Sequence, residues 1–197
     1  YTVYHKEALE FQIAREFLPS KCFRVPLDIK CEAGDKVWFM YDGTRYIPIL
    51  TFFNGGSKLS ENNPLFAHWR SRIATALCDI SMYGSKRLAQ PLTAKNISIS
   101  SDGDLIAIVD AEWGSEKELD AREEPFAIPS LINIMSELIN EKLQGPILKC
   151  ILEIAREGGC TIFDIVRHQY FRSFQPAPDV RSQMRSLKTA PADNQAL

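Results

Sequence analysis

The sequence lacks several patterns that would assign it to a class of protein at once. None of its apolar runs approaches the roughly 20 residues that a membrane-spanning helix needs. Basic and acidic residues nearly balance, 23 against 25, so bulk charge provides no attraction to nucleic acid or to an anionic membrane. We therefore expect no membrane span and no nucleic-acid partner.

Patterns for metal binding and disulfides are also missing. The five cysteines are scattered and odd in number, and none forms a Cys-x-x-Cys pair. His5, His68 and His168 are too far apart for a ligand pair on one helix. This argues against a zinc site or a disulfide framework and favours a reducing compartment. We expect a cytoplasmic location, although a targeting signal upstream of Tyr1, which is not a Met, is left open.

The apolar spacing changes character along the chain. The first part has β-type runs around a turn at 33–35 and around Asp42-Gly43, a strong hairpin signal, with a helix predicted over 7–18. After Asn54-Gly55-Gly56-Ser57 the period becomes helical. We therefore predict an α+β fold with a small β-rich part over 1–53, a mainly helical part over 54–174, and a flexible tail over 175–197.

One long helix is predicted to begin at Asn63-Pro64 and to stop at Gly84. Three more helices are predicted over 130–143, 146–156 and 161–174. We interpret residues 85–95 as an irregular basic stretch and the acidic segment 115–124 as an exposed loop. The face of the long helix predicted to be buried consists of Leu65, Phe66, Trp69, Ile73, Ala76, Leu77, Ile80 and Met82, with Cys78 on the same apolar side.

A second hairpin is predicted between Asn96 and Gly114. Isoleucines alternate with serines over 97–100, Asp102-Gly103 is a tight-turn dipeptide, and 105–109 is a second apolar run. Pairing of the strands would bring Asn96 and Asp110 to the same end, where an amide oxygen and a carboxylate suit Mg²⁺. The simpler interpretation, that Asn96 opens a turn and Asp110 caps the next segment, stays open.

The order of these elements resembles the protein-kinase fold over about residues 1–114. The order is a strand with Lys6, a helix with a glutamate, further strands, a glycine-containing loop, the long helix, and the hairpin from Asn96 to Asp110. The resemblance implies a two-lobed architecture. It also implies that Lys6 grips the phosphates of a nucleotide and pairs with Glu10 or Glu7 of the adjacent helix.

The same resemblance implies further site residues. Residues 51–57 resemble the hinge, so Thr51 and Phe53 are expected to meet the adenine through backbone groups. Asn96 and Asp110 resemble the two metal-binding residues. The implied cofactors are ATP and Mg²⁺.

The sequence departs from the kinase pattern where the chemistry occurs. Kinases carry an aspartate five residues before the asparagine, as the acceptor of the substrate proton; here that residue is Pro91, which cannot accept a proton. Only the aspartate of Asp-Phe-Gly is kept, in Asp110-Ala111-Glu112, and Glu124-Pro125 only loosely echoes Ala-Pro-Glu. The resemblance therefore implies a pseudokinase that binds a partner protein, with a nucleotide but without efficient phosphotransfer.

Two other functions stay open. An atypical minimal protein kinase would recruit a carboxylate from elsewhere, such as Asp79, Glu112 or the acidic loop. Alternatively the chain is an unrelated α+β adaptor or a fragment of a bacterial effector, in which the hairpins are ordinary pieces of sheet. A kinase-like arrangement requires Lys6 and Asp110 to converge on one cleft, whereas the adaptor does not.

Overall fold

The computed structural model describes residues 46–53, 58–116, 124–139 and 144–172, together with the backbone of 28–32 and 36–40. Several predicted features lie outside the described residues. They are the helix over 7–18, Lys6, Glu10, Glu7, Asp42-Gly43 and the tail over 175–197. The elements within these ranges mix helices with small antiparallel sheets, so the predicted α+β class is confirmed. The division at residues 53 and 174 stays a prediction.

Strands and helices are interspersed along the described ranges. The strands are β1 (Asp28–Glu32), β2 (Lys36–Met40), β3 (Tyr46–Pro48), β4 (Lys86–Leu88), β5 (Ile97–Ser100), β6 (Ile106–Ile108) and β7 (Trp113–Glu116). The helices are α1 (Pro64–Tyr83), α2 (Ala127–Leu138), α3 (Pro146–Arg156) and α4 (Ile162–Arg167). Among the described residues, no helix combines the length and the apolar character that crossing a bilayer requires.

The strands form three small antiparallel sheets, β1-β2, β3-β5-β6 and β4-β7. The predicted hairpin between the two runs that flank Asp42-Gly43 is wrong, because β2 pairs with β1 while β3 pairs with β5. Pairing with β5 sets Ile47 opposite Ile99, and both side chains then pack in the core. Apolar burial across a long sequence separation has here outweighed a local turn signal.

Helix α1 begins and ends where the sequence predicts. The Asn63 side chain accepts a hydrogen bond from the Leu65 amide at 2.9 Å, and Gly84 caps the other end. Met82 is wrongly placed on the buried face, since its side chain is 54% exposed. Two helical residues turn the chain by about 200°, so Met82 points away from the face that buries Ile80.

Helix α2 lies at the centre of the helical part and contacts both α1 and α3. It begins three residues before the predicted start, at Ala127, and it ends at Leu138, earlier than the predicted end at 143, because Ile139 is already extended. Helix α3 has the predicted bounds, whereas α4 ends at Arg167, earlier than predicted. Arg70 of α1 stacks on the Tyr170 ring at 3.7 Å, which attaches the segment after α4 to α1.

The short strands β4 and β7 were not predicted. Residues 86–88, interpreted as part of an irregular basic stretch, pair with Trp113–Glu116, which was partly assigned to the exposed acidic loop. Leu88 is buried and stands opposite Trp113 in the ladder. The pairing spans the whole central hairpin and brings the chain on either side of that hairpin together.

Candidate functional site

The hairpin predicted between Asn96 and Gly114 is confirmed. Strands β5 and β6 pair antiparallel with Ile97 opposite Ile108. The turn closes through a 2.7 Å hydrogen bond from the Gly103 amide to the Ser100 carbonyl, with Gly103 at φ +80°. This left-handed conformation suits glycine, which has no side chain to clash. The residues that precede and succeed the hairpin therefore meet at its open end.

The side chain of Asn96 joins the two sides of that open end. Its amide nitrogen donates to the carbonyls of Val109 and Asp110, both at 3.2 Å. Its amide oxygen accepts from the Thr93 amide at 3.0 Å. The structure thus brings Asn96 and Asp110 together, but it uses the Asn96 amide to brace the backbone.

Asp110 has an uncommon backbone conformation. Its φ is +52°, the one positive φ of a non-glycine residue in the described part of the chain, and the residue is exposed. Aspartate and asparagine tolerate this region better than other side chains, and such conformations cluster at functional sites. The exposed carboxylate is a suitable ligand for a hard cation.

The fit of the pair to Mg²⁺ is partial. Asp110 offers a carboxylate, whereas a cation at the Asn96 oxygen shares that atom with the Thr93 amide. No group of three His, Cys, Asp or Glu side chains that could hold a metal occurs within the described ranges. A bound cation would therefore take most of its ligands from water and from a phosphate group.

The loop over 89–96, which contains Pro91, is anchored to helix α2. The Leu92 amide donates to Ser130 Oγ at 2.8 Å, and the Ala94 amide donates to Glu137 Oε2 at 3.0 Å. Both acceptors lie on α2, seven residues apart, which places them on one side of the helix. Side chains of α2 therefore fix the path of the loop at Leu92 and Ala94, directly after Pro91.

Glu124 fixes the start of the same loop. It was predicted to lie in an exposed segment, but it is only 1% exposed. Its carboxylate accepts from the Leu88 amide at 3.1 Å and from the Phe126 amide at 3.3 Å, while its own amide donates to Ser81 Oγ. A buried carboxylate is tolerated where backbone donors surround it.

A polar cluster that sequence reasoning missed ties α1 to the tip of the hairpin. Trp69 Nε1 donates to the Gly103 carbonyl at 3.3 Å, and Arg72 Nη2 donates to Asp104 Oδ1 at 3.1 Å. Arg72 Nε also donates to His68 Nε2, and His68 is buried. The cluster orients the hairpin, and its Arg72 and Asp104 side chains are partly exposed.

The two hinge candidates within the described residues, Thr51 and Phe53, lie close to Asn96. Thr51 belongs to a 3₁₀ turn over Ile49–Phe52 that comes directly after β3, and it is exposed. Phe53 is half-buried against the core. This turn contacts the 3₁₀ turn that ends at Asn96. The structure therefore brings Thr51 and Phe53 to the side of the hairpin that carries Asn96.

The predicted site is thus a braced loop next to an exposed carboxylate. Its described residues offer one cation ligand, Asp110, and hydrogen-bonded backbone around Pro91, where a kinase-like chain would carry its proton acceptor. No protein-family model and no curated protein matches the chain.

Proposed function

We propose that this chain is a pseudokinase-like regulatory domain that binds a partner protein and holds ATP with Mg²⁺ without efficient phosphotransfer. In this proposal residues 1–53 form a small lobe on the helical part, and a cleft between them contains Lys6, Glu10, Thr51 and Phe53. Asp110 is the cation ligand in that cleft, and Asn96 assists it while bracing the loop.

The observation that carries the proposal is the commitment of the loop over 89–96 to hydrogen bonds within the protein. The amides of Leu92 and Ala94 donate to side chains of α2, and the Thr93 amide donates to Asn96. Pro91 lies inside this anchored stretch. Its side chain cannot accept a proton, and its backbone has no amide proton. The loop is thus suited to holding the fold in one shape, as a binding domain requires.

Phosphotransfer requires a group that orients the substrate hydroxyl and accepts its proton. Removal of one such group typically costs factors of about 10² to 10⁴ in rate. A nucleotide held at Asp110 would still be bound through its phosphates and the cation. Binding without turnover is the expected behaviour.

A specific contact favours the minimal kinase as the second candidate. The Ala89 amide donates to the Glu112 carbonyl at 2.8 Å, so Glu112 lies beside the start of the loop, and its side chain is exposed. A carboxylate there can approach a substrate hydroxyl near Pro91. In this alternative Glu112 replaces the missing proton acceptor.

Phosphate transfer from labelled ATP by the full chain, with and without Mg²⁺, tests the proposal. We expect no Mg²⁺-dependent transfer to water, to the protein itself or to a generic protein substrate. Asp110→Asn is the informative variant, because asparagine also tolerates the positive φ of this position and removes only the charge. Transfer that disappears in Asp110→Asn would overturn the proposal, and a parallel loss in Glu112→Gln would establish the minimal kinase.

Nucleotide binding is tested separately by thermal unfolding. A ligand that binds only the folded state stabilises it by about 2.7 kcal/mol at 100 times its dissociation constant. We expect ATP to raise the unfolding temperature more with Mg²⁺ than without it, and Asp110→Asn to remove that difference. Glu112→Gln, which loses a charge two residues away, is the matched control and should keep it.

A further inference from the structure

Helix α3 has two apolar faces, and the core covers one of them fully and the other only in part. Leu148, Leu152 and Ala155 are buried, in a helix that packs on α2. A second stripe, spaced by four and three residues, consists of Ile147, Ile151 and Ile154. Ile147 is 50% exposed and Ile154 is 41% exposed, so this helix presents more apolar surface than its own core uses.

The second stripe borders a groove between α3 and α4. The groove has a volume of about 130 Å³ and is lined almost wholly by apolar atoms. Small-molecule sites usually measure about 300–1,000 Å³, so this groove is too small for a nucleotide or another cofactor. It has room for apolar side chains of a peptide segment. Its lining residues are Ile151, Ile154, Cys160, Asp164, Ile165 and His168.

The polar rim of the groove contains the carboxylate of Asp164 beside His168, and Arg167 lies near that carboxylate. Asp164 Oδ2 accepts from the Thr161 amide at 2.9 Å and from the Thr161 hydroxyl at 2.7 Å. These hydrogen bonds, that of the amide first, lower the pKa of Asp164, so its carboxylate is charged at neutral pH. By helix geometry Glu157 flanks the isoleucine stripe, while Lys149 and Arg156 lie on the opposite side of α3.

The sequence of the chain beyond α4 contains a segment that complements this rim and stripe. Val180, Met184 and Leu187 have the spacing of four and three residues that α3 also shows. Basic residues occupy the positions directly after them, which in a helix would lie along one side of the apolar stripe. These residues are Arg181, Arg185 and Lys188.

The tail also starts close to the groove. His168 lines the groove, and the described chain continues only to residue 172. Tyr170 and Phe171 are buried, and Arg70 stacks on Tyr170, so the point of departure is fixed to α1. The residues over 173–179 can span up to about 25 Å, at 3.3–3.6 Å each. Residues 173–179 are therefore long enough for the segment after them to reach the groove. They hold that segment near the groove at an effective concentration of order mM.

We propose that residues 180–188 dock in cis on the groove between α3 and α4. Met184 and Leu187 cover the second apolar stripe of α3, and Arg185 lies beside Asp164. The groove is a docking surface that the chain's own tail occupies and from which a partner has to displace it. This inference is independent of the nucleotide and of the proposed function.

Thiol alkylation of the full chain, followed by peptide mass spectrometry, tests the docking. Cys160 lines the groove and is half-buried. In the variant Met184→Asp, Leu187→Asp we expect Cys160 to react several-fold faster than in the natural chain.

The control adds the same two charges on the opposite side of the segment. Ser182→Asp with Ser186→Asp should leave the Cys160 rate unchanged, because these positions lie away from the stripe. Equal Cys160 rates in all three proteins would overturn the proposal. Protection of Cys160 that falls on dilution would overturn it as well, since the occupant is then a second copy of the chain.

A reciprocal variant approaches the contact from the groove. Ile154→Glu places a charge on the exposed stripe, and we expect trypsin to cleave after Arg181 and Arg185 several-fold faster than in the natural chain. Lys149→Glu, on the opposite side of α3, is the matched control. Trypsin should cleave this variant at the same rate as the natural chain. Unchanged cleavage in Ile154→Glu, with the unfolding temperature preserved, would contradict cis docking.

Discussion

Two regions of this molecule are held in different ways. The loop over 89–96 is fixed by polar contacts, in which side chains of Asn96, Glu124, Ser130 and Glu137 accept from backbone amides at or next to the loop. The pair α3 and α4 instead packs through apolar side chains and leaves one stripe uncovered. In our proposals the first region holds the fold and the second keeps surface for binding.

The largest expected effect concerns the contact between α1 and the hairpin. Trp69 is fully buried, lies 6.1 Å from the Phe52 ring between centroids, and donates to the Gly103 carbonyl. Trp69→Ala should lower the free energy of unfolding by about 3–5 kcal/mol, measured by urea denaturation. Met82→Ala on the exposed side of the same helix should change it by less than about 0.5 kcal/mol. Similar losses in both variants would contradict this orientation of α1.

The next effect concerns the buried carboxylate of Glu124. Glu124→Ala leaves the amides of Leu88 and Phe126 without their acceptor, and each buried unsatisfied group costs about 1–3 kcal/mol. We expect a loss of about 2–4 kcal/mol in the free energy of unfolding. Glu124→Gln should recover only part of this stability, because the backbone amide of either Leu88 or Phe126 then faces the NH₂ group of the glutamine. The exposed Glu153→Ala is the control, and a loss there as large as in Glu124→Ala would refute the polar account.

A smaller effect is expected at Ser130, where the two regions can be compared directly. Ser130→Ala removes the acceptor of the Leu92 amide and should cost about 1–2 kcal/mol of unfolding free energy. Amide exchange of Leu92 should accelerate in the same variant. Ile154→Ala removes a larger group, but from a half-exposed position. It should therefore lower the free energy of unfolding by less than Ser130→Ala does. The reverse ranking would break the distinction between the two regions.

The smallest effect is a pH dependence at α4. The hydrogen bonds from Thr161 lower the pKa of Asp164 in the folded state below its ordinary value of 3.8. Their contribution to stability is therefore complete above pH 3.8 and is lost as the pH falls through the folded-state pKa. We expect Asp164→Asn to be less stable than the natural chain near neutral pH and to approach it in acid. A stability difference between the two that is independent of pH would contradict the capping role.

Features set by neighbouring residues could be predicted from the sequence. The bounds of α1 depend on Asn63-Pro64 and Gly84, and the start of α3 depends on Gly145-Pro146, because helix caps act within one turn. The central hairpin was also predictable, because its turn and its apolar alternation lie within one short stretch. The meeting of Asn96 with Asp110 is a direct consequence of that local pairing.

Features that depend on distant partners could not be predicted in the same way. The ladder between β4 and β7 joins short, mixed segments that show no period of their own. Burial of Glu124 depends on where the Leu88 amide lies in the folded chain, which composition cannot reveal. The same holds for the Asn96 amide, whose residue type suggests a metal ligand but whose hydrogen bonds make it a brace.

A kinase-like arrangement requires the amine of Lys6 and the carboxylate of Asp110 to lie together in one cleft. A zero-length carbodiimide cross-link of the full chain tests this directly, because it joins an amine and a carboxylate only when they are in contact. The monomer is isolated, digested and mapped by mass spectrometry. We predict a Lys6–Asp110 link that is absent in Asp110→Asn. Links from Lys6 to remote carboxylates such as Glu153, with none to Asp110, would contradict the pseudokinase-like arrangement.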